Sequence, residues 1–184
     1  MNAATRAAVR LCLNRGHTPV GIFNSFKGLV HGEVKPLTWQ DVSGWTTIGG
    51  SKLGINHSQP TPVLNSKKLY NKTYKIDPSE LIDIGLIAYH LQEQNIQGLL
   101  IIGGYEAYCS LYTLYEAKSI YPSLCIPMVQ IAASVSNNIP GTDHSIGSDT
   151  ALNTIVKACD HIKLSASASQ KRVFIVEVQG GNCG

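Results

Sequence analysis

Glycine pairs stand at three places where backbone amides could cradle a small anion. They are Gly49-Gly50 in the run Gly49-Gly50-Ser51-Lys52-Leu53-Gly54, Gly103-Gly104 ahead of Tyr105-Glu106-Ala107, and Gly180-Gly181 after Gln179. Without a Cβ the backbone N–H groups can approach an anion closely, and a helix opening just afterwards adds a dipole that favours negative charge. A fourth candidate is polar: Ser134-Val135-Ser136-Asn137-Asn138, followed by Pro140-Gly141-Thr142. Each signal also has a plainer reading, a tight turn for a glycine pair and a helix-capping turn for the Ser/Asn run. Convergence of several such loops on one sheet edge would turn them into a site.

The elements that must position these loops are legible from periodicity. Between Asn2 and Arg15, the residues Ala3, Ala7, Ala8, Leu11 and Cys12 recur at helical spacing, with Arg6, Arg10 and Arg15 off that face and Gly16 as a stop. Val20-Gly21-Ile22-Phe23 reads as a strand buried on both faces. Leu81 to Gln94 reads as a helix, Gly98 to Ile102 as a strand and Glu106 to Lys118 as a helix. Ile126 to Ile131 reads as a third strand, Asp149 to Lys163 as a helix and Val173 to Val178 as a fourth strand.

Continuous apolar strands alternating with helices predict an α/β fold, a doubly wound and mostly parallel sheet with helices on both faces. In such a sheet ligands lie beyond the carboxyl ends of the strands, where the candidate loops fall. The segment from Ser58 to Pro78, rich in Pro, Asn, Lys and Tyr, shows neither period and is expected to be an exposed insertion. The chain opens inside a helix and closes on a glycine-rich run, so one partial domain over residues 1–184, incomplete at both ends, is the expected organisation.

Composition narrows the partners. The net charge is +3 and the basic residues are scattered, which gives neither a nucleic-acid footprint nor a basic membrane-binding face. Cys12, Cys109, Cys125, Cys159 and Cys183 are odd in number and lack a CxxC spacing, which argues against a disulfide framework and a zinc site. No apolar run approaches the roughly 20 residues that span a bilayer, and Met1 to Arg6 reads as an amphipathic helix start, not a secretory signal. A cytoplasmic protein is expected.

Taken together and in order, these segments resemble the phosphofructokinase family along the whole chain. Met1 to Arg6 resembles the helix that follows the family's first glycine-rich nucleotide loop. Gly49-Gly50-Ser51 with Leu53-Gly54, the strand ending at Gly103-Gly104, Ser134 to Asn138 with Pro140-Gly141-Thr142-Asp143, and Val176-Glu177-Val178-Gln179-Gly180-Gly181 match its signatures. The resemblance implies an ATP-dependent, magnesium-using glycolytic kinase that converts fructose 6-phosphate to fructose 1,6-bisphosphate and assembles from several subunits.

Departures from the family pattern imply which half of the duplicated fungal-type subunit this is. Tyr105 stands where the catalytic copy has the aspartate that serves magnesium and nucleotide. Ser136 stands where it has the aspartate that takes the proton from the sugar hydroxyl. A hydroxyl is too weak a base to replace a carboxylate, and a positioned base is worth roughly 10²- to 10⁴-fold in rate. The expectation is therefore a catalytically silent C-terminal regulatory copy with no catalytic or metal residues, ATP and Mg2+ being held by the other half.

The same resemblance implies that the ligand here is the activator fructose 2,6-bisphosphate. Its contacts would be Ser134, Val135, Ser136, Asn137, Asn138, Gln179, Gly180 and Gly181, with Arg172 reaching in from a neighbouring subunit. His57 stands where the family has an arginine; it is either a phosphate contact or an exposed loop histidine. Arg172 has a plainer reading too, a surface cation beside Lys171. Arg6 and Arg10 match two arginines of a second effector pocket, but Trp39 replaces a third, and a solvated or interface face is the expectation. An active kinase copy and a ligand-free assembly element are the alternatives.

Overall fold

A computed structural model describes residues 1–61, 81–169 and 171–178. Helix α1 (Asn2–Asn14) ends as expected, with Gly16 at φ +76° and its N–H bonded to the Leu13 carbonyl at 3.0 Å. Its buried face differs from the expected one. Asn2 and Val9 are buried while Leu11 is 58% exposed, because α1 docks Val9 and Leu13 onto Leu37, Val42 and Trp45.

Strand β1 (Val20–Ile22) pairs antiparallel with β2 (Val34–Pro36), Gly21 lying opposite Lys35. Between them runs helix α2 (Ser25–Val30), where a Cβ on Gly28 would fall 1.6 Å from the Phe23 carbonyl oxygen. Only glycine fits there.

Strand β3 (Gln59–Thr61) pairs parallel with β4 (Leu81–Asp83). This corrects two expectations. Ser58 to Thr61 is buried, so the expected exposed insertion does not begin at Ser58; residues 62–78 lie outside the described residues. Leu81 to Asp83 is strand and not the first turn of the next helix, since Leu81 and Ile82 pair with β3 and Asp83 is extended. Helix α3 (Ile84–Glu93) then starts where the Asp83 carboxylate accepts the Gly85 N–H at 2.6 Å. Ile84, Ile87, Ala88 and Leu91 form its buried stripe.

Strand β5 (Leu99–Gly103) pairs parallel with β6 (Met128–Ala132), and helix α4 (Tyr105–Glu116) follows β5. Short 3-10 turns at Ala117–Ser119 and Pro122–Leu124 return the chain to β6. Leu29, Ile84, Ile87, Leu91, Leu99, Leu114 and Leu124 make the main core among α2, α3, α4 and β5. The fold is α/β, mostly parallel: among the described residues two parallel strand pairs and one antiparallel pair, with helices packed against them.

Helix α5 (Ser148–Ala168) runs five residues beyond its expected end at Lys163. The fourth expected strand is not formed. Residues 173–178 are irregular, and Val173 and Ile175 are 90% and 94% exposed. An apolar run becomes a strand only with a neighbour to accept its hydrogen bonds, and no described strand pairs with it. Among the described residues no helix is long and apolar enough to cross a membrane.

Candidate functional site

The carboxyl ends of β5 and β6 bring two of the candidate loops side by side. The Ala133 N–H donates to the Gly103 carbonyl at 2.9 Å, and the Gln130 side chain donates to the carbonyls of Gly103 and Gly104 at 3.3 and 3.2 Å. A Cβ on Gly104 would sit 3.4 Å from the Ser134 Cβ and 3.5 Å from its Oγ. The Gly-Gly turn and the Ser/Asn loop therefore share one corner of the sheet.

The Ser134–Asn138 loop is built by its own polar groups. The Ser136 N–H donates to Ser134 Oγ at 3.1 Å, and the Ser145 hydroxyl donates to the Ser134 carbonyl. Asn137 adopts the left-handed conformation, φ 47°, which asparagine tolerates better than most residues. Its side chain donates to the Asp143 carbonyl at 3.0 Å and accepts the Ser145 N–H at 2.9 Å. The Asn137 amide thus closes the loop on itself, while Val135 and Asn138 are exposed and Ser134 and Ser136 half-buried.

His57 comes to the same corner from a distant part of the chain. It lies immediately before buried Ser58, whose Oγ accepts the Lys27 N–H at 3.2 Å. Its Nδ1 is 3.0 Å from Glu106 Oε2 in the first turn of α4, across 49 residues of sequence. Because a carboxylate only accepts, Nδ1 is the donor. Tyr105, at the start of α4, is exposed and its ring stacks on Tyr108 at 6.2 Å between centroids.

The remaining candidates lie elsewhere. Gly49 to Gly54 is clamped by Asn2, whose side chain donates to the carbonyls of Ile48 and Gly49, both at 3.0 Å, and accepts the Lys52 N–H at 2.7 Å. Arg172 is exposed in the irregular segment after α5, its N–H bonded to the Ser169 carbonyl at 3.1 Å. Gln179, Gly180 and Gly181 lie outside the described residues. Arg10 stacks its guanidinium over Trp39 at 5.0 Å, a cation–π contact on the face where Arg6 also stands.

Sequence reasoning missed Asn2, Gln130, Ser145 and Glu106. Gln130 carried a usable signal, a lone amide within the apolar strand Met128–Ala132. Asn2 and Ser145 are ordinary polar residues until their burial is seen. Glu106 has meaning only beside His57.

The donor set of this corner does not fit a magnesium–nucleotide complex. Mg2+ is held by carboxylates together with phosphates, whereas among the described residues Tyr105 offers a phenol, Ser134 and Ser136 offer hydroxyls, and the Glu106 carboxylate is engaged by His57. Among the described residues no three His, Cys, Asp or Glu side chains cluster as a metal site would require. What the corner offers an incoming molecule is neutral hydroxyls, amides and backbone N–H groups.

The sequence model of the phosphofructokinase family matches residues 1–184. The chain belongs to that family. It is 48% identical over 184 residues to the ATP-dependent 6-phosphofructokinase subunit alpha of Candida albicans, covering 100% of this chain and 17% of that protein. It is 45% identical to the platelet-type ATP-dependent 6-phosphofructokinase of Rattus norvegicus, covering 100% of this chain and 21% of that protein. The fold superposes on the crystal structure of Pichia pastoris phosphofructokinase in the T-state with a TM-score of 0.83 and 44% identity, covering 100% of this chain and 19% of that one. The chain spans about a fifth of the length of these relatives.

Proposed function

We propose that this chain is the regulatory portion of an ATP-dependent 6-phosphofructokinase, the glycolytic enzyme that phosphorylates fructose 6-phosphate. Its own corner takes a sugar bisphosphate, fructose 2,6-bisphosphate, and performs no phosphoryl transfer. The observation that supports this reading is the pairing of Gly103-Gly104 with the Ser134–Asn138 loop, in which, by the family resemblance, Tyr105 and Ser136 stand where the chemistry needs two aspartates. Phosphoryl transfer rests on positioned metal charge and a group to receive the nucleophile's proton. This corner supplies hydrogen-bond donors for sugar and phosphate oxygens instead, and lacking those two aspartates it repels a second phosphate less than a catalytic copy would.

In this reading Ser134, Val135, Ser136, Asn137 and Asn138 hold the sugar and one phosphate from the loop. By the family resemblance Gln179, Gly180 and Gly181, which lie outside the described residues, are further ligand contacts, and Arg172 of a neighbouring subunit meets the other phosphate. Asn137 acts through its backbone, since its amide is committed to Asp143 and Ser145. The assembly supplies ATP and Mg2+ at the catalytic copy.

Titrating activator against Arg172→Ala tests the assignment. A charge-assisted hydrogen bond contributes about 1.5–3 kcal/mol, and about 1.4 kcal/mol is tenfold in affinity. Activation by fructose 2,6-bisphosphate should weaken roughly 10- to 100-fold, with the maximal rate at saturating fructose 6-phosphate nearly unchanged. An unshifted activation curve removes Arg172 from the site, and a collapse of maximal rate means that this portion takes part in the chemistry.

A further inference from the structure

His57 and Glu106 meet because two separate pieces of structure hold them, not because they are neighbours in sequence. Burial of Ser58 to Thr61 fixes the chain just after His57, and the start of α4 fixes Glu106. The two side chains are 70% and 60% exposed, so their contact is open to solvent. Glu106 satisfies two features at once. As the acidic residue in the first turn of α4 it meets the positive end of the helix dipole, and it accepts the one hydrogen bond that His57 Nδ1 can donate. Those are the two features through which this side of the corner would otherwise receive a phosphate.

We propose that Glu106 is the charge-selecting residue of the corner, an internal anion that holds His57 and that a phosphate group must displace to reach the imidazole. The contact makes binding on this side a competition between a carboxylate already in place and the incoming phosphate. A ligand anchored elsewhere in the corner by a second phosphate can win that competition, because the exchange is then intramolecular and runs at high effective concentration. A lone phosphate has no such anchor. Glu106 thereby favours a bisphosphate over a monophosphate or free phosphate. This inference rests on the corner being a phosphate-binding site, as proposed above.

The test uses inorganic phosphate and fructose 2,6-bisphosphate as probes, titrated against the full chain, Glu106→Gln, His57→Ala and the double variant. Removing one partner of an exposed pair is expected to change affinity about two- to fivefold. Glu106→Gln should therefore bind inorganic phosphate tighter by that factor and fructose 2,6-bisphosphate by less. His57→Ala alone should leave phosphate binding within about twofold, because the imidazole was already engaged. Adding His57→Ala to Glu106→Gln should remove the part of the gain that the released imidazole carries. That loss separates release of His57 from removal of the negative charge at the helix end, which persists without the imidazole. Glu106→Ser gives the same comparison should the amide variant not fold. Equal phosphate binding by the full chain and Glu106→Gln, or a gain undiminished by loss of His57, overturns the proposal. If phosphate discriminates as expected but no variant binds fructose 2,6-bisphosphate, the ligand assignment fails and the role of Glu106 stands.

Discussion

The Lys52 backbone N–H donates to the Asn2 side-chain oxygen at 2.7 Å, joining the first turn of α1 to a glycine-rich loop 50 residues away. The same Asn2 amide donates to the carbonyls of Ile48 and Gly49, and the Asn2 N–H donates to the Gly50 carbonyl. The loop has no helix or strand of its own to hold it. Asn2, 2% exposed, takes that part.

Asn2→Ala should therefore destabilise the protein. It removes three hydrogen bonds that a buried side chain makes to the loop backbone, and a hydrogen bond contributes about 0.5–1.5 kcal/mol. Chemical denaturation followed by circular dichroism should show a lower midpoint at an unchanged slope. A midpoint equal to that of the parent would mean that the loop is held without the clamp.

The pH dependence of stability should carry a signature of Asp41. Lys35 Nζ lies 2.6 Å from its carboxylate, and the Thr38 hydroxyl and N–H donate to it at 2.6 and 2.8 Å. These bonds, that of Lys35 first, hold the Asp41 carboxyl well below the ordinary carboxylate range. With the folded pKa depressed, the stabilisation is fully present above the unfolded value of about 3.9 and is lost as pH falls toward the folded value. Asp41→Asn should melt below the parent at neutral pH, and the two curves should converge on acidification beneath pH about 4. A constant offset down to the acid limit would show that shape, not charge, makes the contribution.

Much of the fold was readable because some signals are local. The spacing of Ile84, Ile87, Ala88 and Leu91 and the stop at Gly16 are fixed within a few residues, and both appear in the structure. Strand β3 was not readable, since Gln59-Pro60-Thr61 is short, carries a proline and becomes a strand only through its parallel partner Leu81–Asp83. The reverse happened at Val173 to Val178, where strand-like residues find no described ladder. In the candidate site, the family-like loops announced themselves through Gly103-Gly104 and Ser134 to Asn138. The groups that position them did not. Gln130, Ser145 and the His57–Glu106 contact arise from tertiary proximity that no window of sequence contains.

The most direct test of the account is the activation curve of Ser136→Asp. In the proposed reading the substitution returns a carboxylate to the position of the general base, while Tyr105 still provides no acid for a metal. Like charges brought together cost several kcal/mol, so activation by fructose 2,6-bisphosphate should shift to concentrations at least about tenfold higher. No gain in maximal rate should accompany it. A clear rise in maximal rate, with the activation curve unmoved, would contradict the reading of this chain as a silent, bisphosphate-binding copy.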